Sequence, residues 1–360
     1  MWAQLKDGFK EFATDALKEG GELVKDTADG TATAAAKDRA LVGANIGGWM
    51  VLEPWITPSL FYRFLGKTKS EGVGMSMWTF CEALGPEEGN RVLQDHWDTW
   101  LTEEHIAQLA EREVEIVRLP YGDWVVKPYG PYEGCFDGAV DKIKWALETF
   151  EKYNIKVLLD MHGVKDSQNG YESSGYANVQ WQDDTHFTHN SMGAWIGDWN
   201  GTTYDPINWD NITWALDAIQ ATVDTFGSYP ALYAVEALNE PLGVTPLEPL
   251  KVYLQQAREI VHSANPDLKF VFHDSFRFDA SVWNDMFDDE DMENVVLDTH
   301  QYFAFAPAKE TIDDYCTDFG ATMEMAAQIK YDVWVGEWSL ATDNCAMWLE
   351  GFNYSDSTPQ

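Results

Sequence analysis

At 360 residues, 45 % of them hydrophobic and 14 % aromatic, the chain is long enough to bury a large core, as one big domain or two small ones. Its 60 acidic side chains against 24 basic ones leave a net charge of −36, a surface that repels nucleic acid and anionic lipid and excludes both as partners. No apolar run reaches membrane-spanning length, and Met1–Val24 lacks the uninterrupted apolar centre of a signal peptide.

Trp2, Leu5, Phe9, Phe12 and Ala16 recur at spacings of three and four, which predicts an amphipathic helix, and the Ala, Thr, Gly and Asp of residues 26–38 read as a linker. Residues 1–38 are therefore set apart from a main domain at 39–360. From Leu41 onward short apolar runs alternate with helical periodicity. The runs are Leu41–Gly47, Val114–Pro120, Val157–Met161, Leu232–Leu238, Phe270–Phe272, Val295–Leu297 and Val333–Val335. Helical spacing is plain in Ile143, Ala146, Leu147 and Phe150, in Ile212, Leu216, Ile219 and Val223, and in Leu250, Tyr253, Leu254, Ala257 and Val261, the last closed by Asn265-Pro266. Strand and helix repeating in this order predict an α/β fold of the TIM (β/α)8 type, with seven of its eight strands recognisable.

Polar residues fall at the ends of these runs. Arg118, His162, Asn239 with Glu240, His273 with Asp274, His300 with Tyr302, and Glu337 each close or follow one. Any one of them has an ordinary structural explanation, but in a parallel barrel they converge on the face where enzymes of this architecture work. The Leu232–Pro241 stretch is the clearest case, an apolar strand that delivers Asn239 and Glu240 before Pro241 stops it. Two carboxylates on different strands, with an arginine, two histidines, an asparagine and a tyrosine beside them, suit glycoside hydrolysis by an acid and a nucleophile. One carboxyl must hold its proton and the other must lose it, so their surroundings must separate their pKa values, and Arg118 is placed to keep one ionised.

The four cysteines, Cys81, Cys135, Cys316 and Cys345, lack the short paired spacings of zinc or thioredoxin-like motifs, and several pairings stay open. Asn200-Gly-Thr, Asn211-Ile-Thr and Asn353-Tyr-Ser are N-glycosylation acceptors. The segment 163–208 is far longer than an ordinary strand-to-helix loop and carries Trp181, Trp195, Trp199 and Tyr204, as a wall over a pocket would. His186 and His189 with Asp183 and Asp184, and the acidic run Asp288–Glu293, read as solvated surface rather than metal sites. No metal or cofactor is expected.

Several motifs together resemble the fungal-type exo-β-1,3-glucanases of glycoside hydrolase family five. They are Gly47-Gly-Trp-Met-Val-Leu-Glu-Pro-Trp-Ile-Thr-Pro-Ser-Leu-Phe61, Val117-Arg-Leu-Pro-Tyr-Gly122, Asp160-Met-His-Gly163 with Ser167-Gln-Asn-Gly-Tyr-Glu-Ser-Ser-Gly175, Leu238-Asn-Glu-Pro-Leu-Gly243, Asp298-Thr-His-Gln-Tyr302 and Gly336-Glu-Trp-Ser339. The resemblance covers about residues 39–353. It implies a retaining exo-β-1,3-glucosidase that releases glucose from the non-reducing ends of β-1,3-glucan, secreted or in the cell wall and monomeric. Glu240 would be the acid and base, and Glu337 the nucleophile. Asn239 would hold the sugar 2-hydroxyl, Arg118 and Tyr302 would orient Glu337, and His162 and His300 would complete the polar shell. Glu53 matches a position that binds the non-reducing glucose, and Tyr171 and Phe305 match aromatics that clamp the next sugar. The chain departs from the family pattern at Tyr171-Glu-Ser-Ser-Gly175, where Glu172 is a longer acid that changes the sugar contacts. The family's eighth strand and helix, with a tryptophan platform under the first sugar, have no counterpart here, so the domain is expected to be incomplete at its C-terminal end. Other readings are a β-1,6-glucanase, a β-glucosidase, a transglycosylase, or a carbohydrate-binding protein with impaired catalysis.

Overall fold

A computed structural model describes residues 40–343, apart from 191, 288–291 and 293, together with 346 and 348. The helix and linker expected in residues 1–38, Asn353, Cys345 and most of the acidic run Asp288–Glu293 lie outside the described residues. Seven strands form one parallel sheet in sequential order: β1 (Gly43–Asn45), β2 (Ile116–Gly122), β3 (Lys156–Gly163), β4 (Leu232–Glu236), β5 (Lys269–His273), β6 (Val295–Tyr302) and β7 (Asp332–Ser339). Sequential order with every pair parallel is what repeated βα units produce, and the sheet curls into a nearly closed barrel. All seven expected strands are present, most shifted by one to three residues at their ends.

The helices α1 (Met77–Trp100), α2 (Glu103–Glu111), α3 (Ala139–Lys152), α4 (Trp209–Phe226), α5 (Leu247–Ala264) and α6 (Ile312–Ala326) pack outside the sheet or continue from it. The apolar spacing in α3 to α5 is realised as buried faces: Ile143, Ala146, Leu147 and Phe150 in α3, Ile212, Ala215, Ile219 and Val223 in α4, and Leu250, Tyr253, Leu254, Ala257 and Val261 in α5. Helix α1 is broken near its start where Gly85 adopts φ 71 ahead of Pro86. A disulfide between Cys81 and Cys135 ties this helix to the segment before α3, while Cys316 on α6 is an exposed free thiol.

The inside of the barrel is layered two residues apart along each strand. At the bottom Ile116, Leu158, Ala234, Val271 and Val296 form an apolar plug. Two residues further along the same strands stand Arg118, Asp160, Glu236, His273 and Asp298, all buried. The period of a strand puts these on the same face as the plug, so the polar tier rests on a dry floor. Two residues above Asp160 and Asp298 come His162 and His300.

The long segment after β3 contains two antiparallel hairpins, Val179–Trp181 with Phe187–His189 and Gly197–Trp199 with Tyr204–Ile207. The segment thus folds into two hairpins rather than an irregular loop. Asn200 sits exposed in the second hairpin, whereas Asn211 is buried and donates from Nδ2 to Asp166 Oδ2 at 2.9 Å. Of those two acceptor sequences only the first is accessible in the folded chain.

The barrel is open between β1 and β7. Among the described residues no backbone pairing joins them, and a groove of about 440 Å³ runs past Asn45, Ile46 and Gly47 toward Trp100 and α2. One side chain reaches across: Asn45 donates from Nδ2 to Gly336 O at 2.7 Å. Among the described residues, Val335, Trp338 and Leu340 are exposed on and after β7, and none of the residues of α6 is buried.

Candidate active site

Arg118 is the centre of the polar tier. Its Nε donates to Glu236 Oε2 at 2.9 Å, Nη1 donates to Glu337 Oε1 at 2.8 Å, and Nη2 donates to Asn239 Oδ1 at 2.7 Å while lying 3.0 Å from Asp160 Oδ2. Burial works against its charge, but Asp160, Glu236, Glu337 and Asp298 around it hold it firmly protonated. A planar fork with donors in fixed directions is suited to address three strands and the segment after β4 at once, and an ammonium point charge is not.

Glu337 reaches the interior because β7 carries a bulge. The register with β6 slips between Thr299 and His300, so Thr299 pairs with Val335 and His300 with Glu337, leaving Gly336 as the extra residue. A bulge of this kind re-aims the following side chain, and here it turns Glu337 to the site. Its Oε2 also accepts from Tyr302 Oη at 2.9 Å. Burial pushes the Glu337 carboxyl up, yet the charges of His300, Arg118 and His162 and the tyrosine bond outweigh it and bring it below its usual range. Glu337 is therefore ionised at neutral pH.

Glu240 follows β4 rather than ending it, since the strand stops at Glu236 and Ala237, Leu238 and Asn239 lead on. Its backbone is in the left-handed region at φ 43, which costs a non-glycine residue energy and persists because the surroundings impose it. Asn169 Nδ2 donates to Glu240 O at 3.3 Å, and Gln168 Nε2 donates to both His162 O and Asn239 O, at 2.9 and 2.8 Å. The loop after β3 thus fixes the segment that carries Glu240.

The three histidines are shifted in different ways. His162 Nδ1 donates to Asp160 Oδ2 at 2.6 Å; burial opposes its protonation, but the Asp160 charge and this bond raise its pKa. His300 stands between carboxylates on both sides, Nδ1 at 2.6 Å from Glu240 Oε1 and 3.6 Å from Glu337 Oε2, and Nε2 at 3.3 Å from Asp298 Oδ2. Burial again works against the charge, and Glu337, Asp298 and Glu240 raise the pKa well above the ordinary value. His273 is the reverse case: burial and the positive His300, Arg118 and His162 push it well below, and its Nδ1 accepts from Ser275 N at 3.0 Å. Glu236 is driven well above the usual range by burial and by Asp160 and Asp298, in spite of Arg118. Glu236 therefore stands as a neutral partner of Arg118.

Glu53 also belongs to this group. Its carboxyl is pushed up to about 7 by burial, with Glu337 and Glu240 adding to the rise and His162 and a bond from Trp55 Nε1 opposing it. A third carboxyl that keeps its proton near neutrality can donate to a sugar hydroxyl. Phe305 is exposed and meets the ring of Tyr302 edge-on at 6.0 Å, and Tyr171 is half-buried against His189 at 5.3 Å. Phe276, a position the sequence did not mark, is exposed beside His273 with ring centres 5.1 Å apart. Glu172 is almost wholly buried, whereas Tyr171 beside it is half-buried.

Two trios, Glu240 with His273 and His300, and Glu236 with Asp298 and His300, come close enough to ligate a cation. Both need His300, whose two nitrogens already face carboxylates as donors, so a cation would have to displace a proton held by two charges. Asp183 and His186 bond each other in an exposed turn.

The inner carboxylates Asp160, Glu236 and Asp298 were missed as a functional group. Asp160 and Asp298 stand inside quoted motifs and Glu236 interrupts an apolar strand, which is itself the signal that a buried charge requires a partner.

The comparison with known proteins decides the class. The profile described as Cellulase (glycosyl hydrolase family 5) matches residues 81–354. The chain belongs to glycosyl hydrolase family 5. Among curated relatives of this family 5 hydrolase, the probable glucan 1,3-beta-glucosidase A of Aspergillus clavatus is 33% identical across 86% of this chain and 67% of its own length. The glucan 1,3-beta-glucosidase of Yarrowia lipolytica is likewise 33% identical, over 86% of this chain and 69% of its own. Among solved structures, the rutinosidase from Aspergillus niger superposes with a TM-score of 0.62 at 20% identity, covering 84% of this chain and 80% of that one, a likeness of fold. The family 5 hydrolase is a glycoside hydrolase with a TIM-type barrel.

Proposed function

We propose that this hydrolase is a retaining exo-β-1,3-glucosidase, with residues 39–360 as its catalytic domain, that releases glucose from non-reducing ends of β-1,3-glucan by double displacement. The observation that carries the mechanism is His300 Nδ1, 2.6 Å from Glu240 Oε1 and 3.6 Å from Glu337 Oε2. Those two oxygens can lie no farther apart than these two legs end to end, which is short of the roughly 6.5–9.5 Å that an inverting pair needs to admit a water. Such close carboxyl groups favour direct attack by one of them.

In the first step Glu337, ionised and aimed by Arg118 and Tyr302, attacks the anomeric carbon while Glu240 gives its proton to the departing glucan oxygen. The bond from that carbon to the leaving oxygen breaks as the ester to Glu337 forms. In the second step Glu240 takes a proton from water, whose oxygen attacks the same carbon and frees Glu337. Both displacements invert, so the product keeps the β configuration. Asn239, held by Arg118, faces the 2-hydroxyl; His162 and His300 line the first sugar's polar side; Glu53 takes hydroxyls of the terminal glucose; Tyr171 and Phe305 flank the next unit. The hairpins after β3 wall one side of the site, which favours action at chain ends over action within a chain. The β-1,3 linkage is supported by the names of the relatives. A disulfide in a barrel of this size fits an oxidising compartment outside the cytosol.

The test is the product of laminarin digestion followed by NMR. β-Glucose appearing before its α anomer is expected, and loss of release in Glu337→Gln. α-Glucose first would overturn retention, and a ladder of oligosaccharides would overturn exo action.

A further inference from the structure

If Glu240 and Glu337 share the chemistry as proposed above, something must fix two groups that stand on different elements. Asp298, wholly buried on β6, reaches the supports of both. Its Oδ1 accepts from Gly336 N at 2.6 Å, the bulge residue directly before Glu337. Its Oδ2 lies 3.3 Å from His300 Nε2, and the other nitrogen of that ring meets Glu240. Arg118 Nε, which belongs to the guanidinium that holds Glu337, is 4.0 Å from the same oxygen. The fit at the bulge is tight enough to require glycine: a Cβ at position 336 would collide with both carboxylate oxygens of Asp298.

We propose that Asp298 is the positioning residue that links the two carboxylates, fixing the Glu337 bulge through the Gly336 amide and fixing Glu240 through a doubly protonated His300. The chemistry is that of an acceptor on the far nitrogen of an imidazole, which sets what the near nitrogen can donate. The groups facing His300 are Glu240, Glu337 and Asp298, with the neutral His273 against its ring. Those facing Asp298 are Arg118, Glu236, Asp274 and His300. In Asp298→Asn the side-chain oxygen still accepts from Gly336, but an amide NH2 turns toward His300 Nε2, which must then be unprotonated. In Asp298→Ala both supports go.

The experiment is ¹⁵N NMR of the imidazoles, in the absence of substrate, for wild type and both variants between about pH 5 and 8. It is joined to kcat and KM on an activated aryl β-glucoside and to thermal unfolding. Wild type is expected to show a charged His300 throughout with a hydrogen-bonded Nε2 proton, and Asp298→Asn a neutral ring. kcat is expected to fall by about 10- to 100-fold in Asp298→Asn with KM little changed, the effect of losing one charge-assisted hydrogen bond at the site. Asp298→Ala is expected to add a loss of thermal stability. A charged His300 and unaltered kcat in Asp298→Asn would reduce Asp298 to a structural role and overturn the proposal. Should that variant fail to fold, the wild-type Nε2 proton still decides: its absence across the range overturns the proposal. Because the ring signals need no substrate, a failure of the glucosidase reading shows separately, as a wild type without turnover.

Discussion

Glu236→Gln is the sharpest test of the charge balance inside the barrel. Glu236 is fully buried; Oε2 accepts from Arg118 Nε at 2.9 Å, and Oε1 has no hydrogen-bond partner among the described residues. If Oε1 carries a proton, Gln places an NH2 where an OH stood and keeps the acceptor for Arg118, so below the ordinary carboxyl range the two proteins should agree within about 1 kcal/mol. The difference emerges with pH. In the unfolded chain this carboxyl loses its proton near its ordinary value of 4.5, whereas the folded chain retains it. A raised folded pKa contributes stability that is present at low pH and is lost as pH rises. One retained proton tilts the wild-type curve downward by about 1.4 kcal/mol per pH unit relative to the variant. Between pH 5.5 and 7.5 the gap should therefore widen by roughly 2.7 kcal/mol in favour of Gln, from the same slope applied over two units. Urea unfolding of both proteins at the two pH values measures it. Parallel curves would mean that Glu236 is ionised in the folded barrel and that burial does not hold its proton there.

Two further predictions follow from other parts of the molecule. Glu53 gains its charge as pH rises through about 7, beside Glu337 and Glu240; a permanently cationic sugar analogue should bind wild type more tightly than Glu53→Gln by about tenfold at pH 8 but nearly equally at pH 5.5, and calorimetry showing no pH-dependent difference would remove Glu53 from the pocket. The disulfide closes a loop between positions 54 apart; replacing Cys81 and Cys135 by alanine should cost roughly 4 kcal/mol on loop entropy, and unchanged denaturant midpoints would show that the crosslink does not stabilise the barrel.

Much of this architecture is legible in the sequence because buried parallel strands must be continuous apolar runs and their polar exits stand out against them. Arg118, His162, Asn239, Glu240, His300, Tyr302 and Glu337 were all visible in this way, and the structure brings them together. What lies one tier deeper was not. Asp160, Glu236 and Asp298 become a set only when the strands are in register, and register depends on partner strands tens of residues away. The bulge that aims Glu337 is equally non-local, since Gly336 is an ordinary strand glycine until Asp298 is set against it. The hairpins after β3 escaped because their strands are three or four residues long, below the length at which alternation is readable. Helix α1 escaped for a different reason: Gly85-Pro86 interrupts its period with a loop signature.

The reach of Arg118 also has a meaning for how the chain comes together. Its guanidinium is completed from β3, from β4, and from Glu337, which lies 219 residues later. Until β7 is in place, any partial barrel holds this cation with its full set of partners unmet, at a depth where water cannot substitute. No consecutive pair of βα units is therefore self-sufficient, and the repeated architecture does not assemble as independent repeats. Long-range closure of this kind slows folding and makes it cooperative. During synthesis the N-terminal strands must wait for β7, and the residue that ends their wait is Glu337.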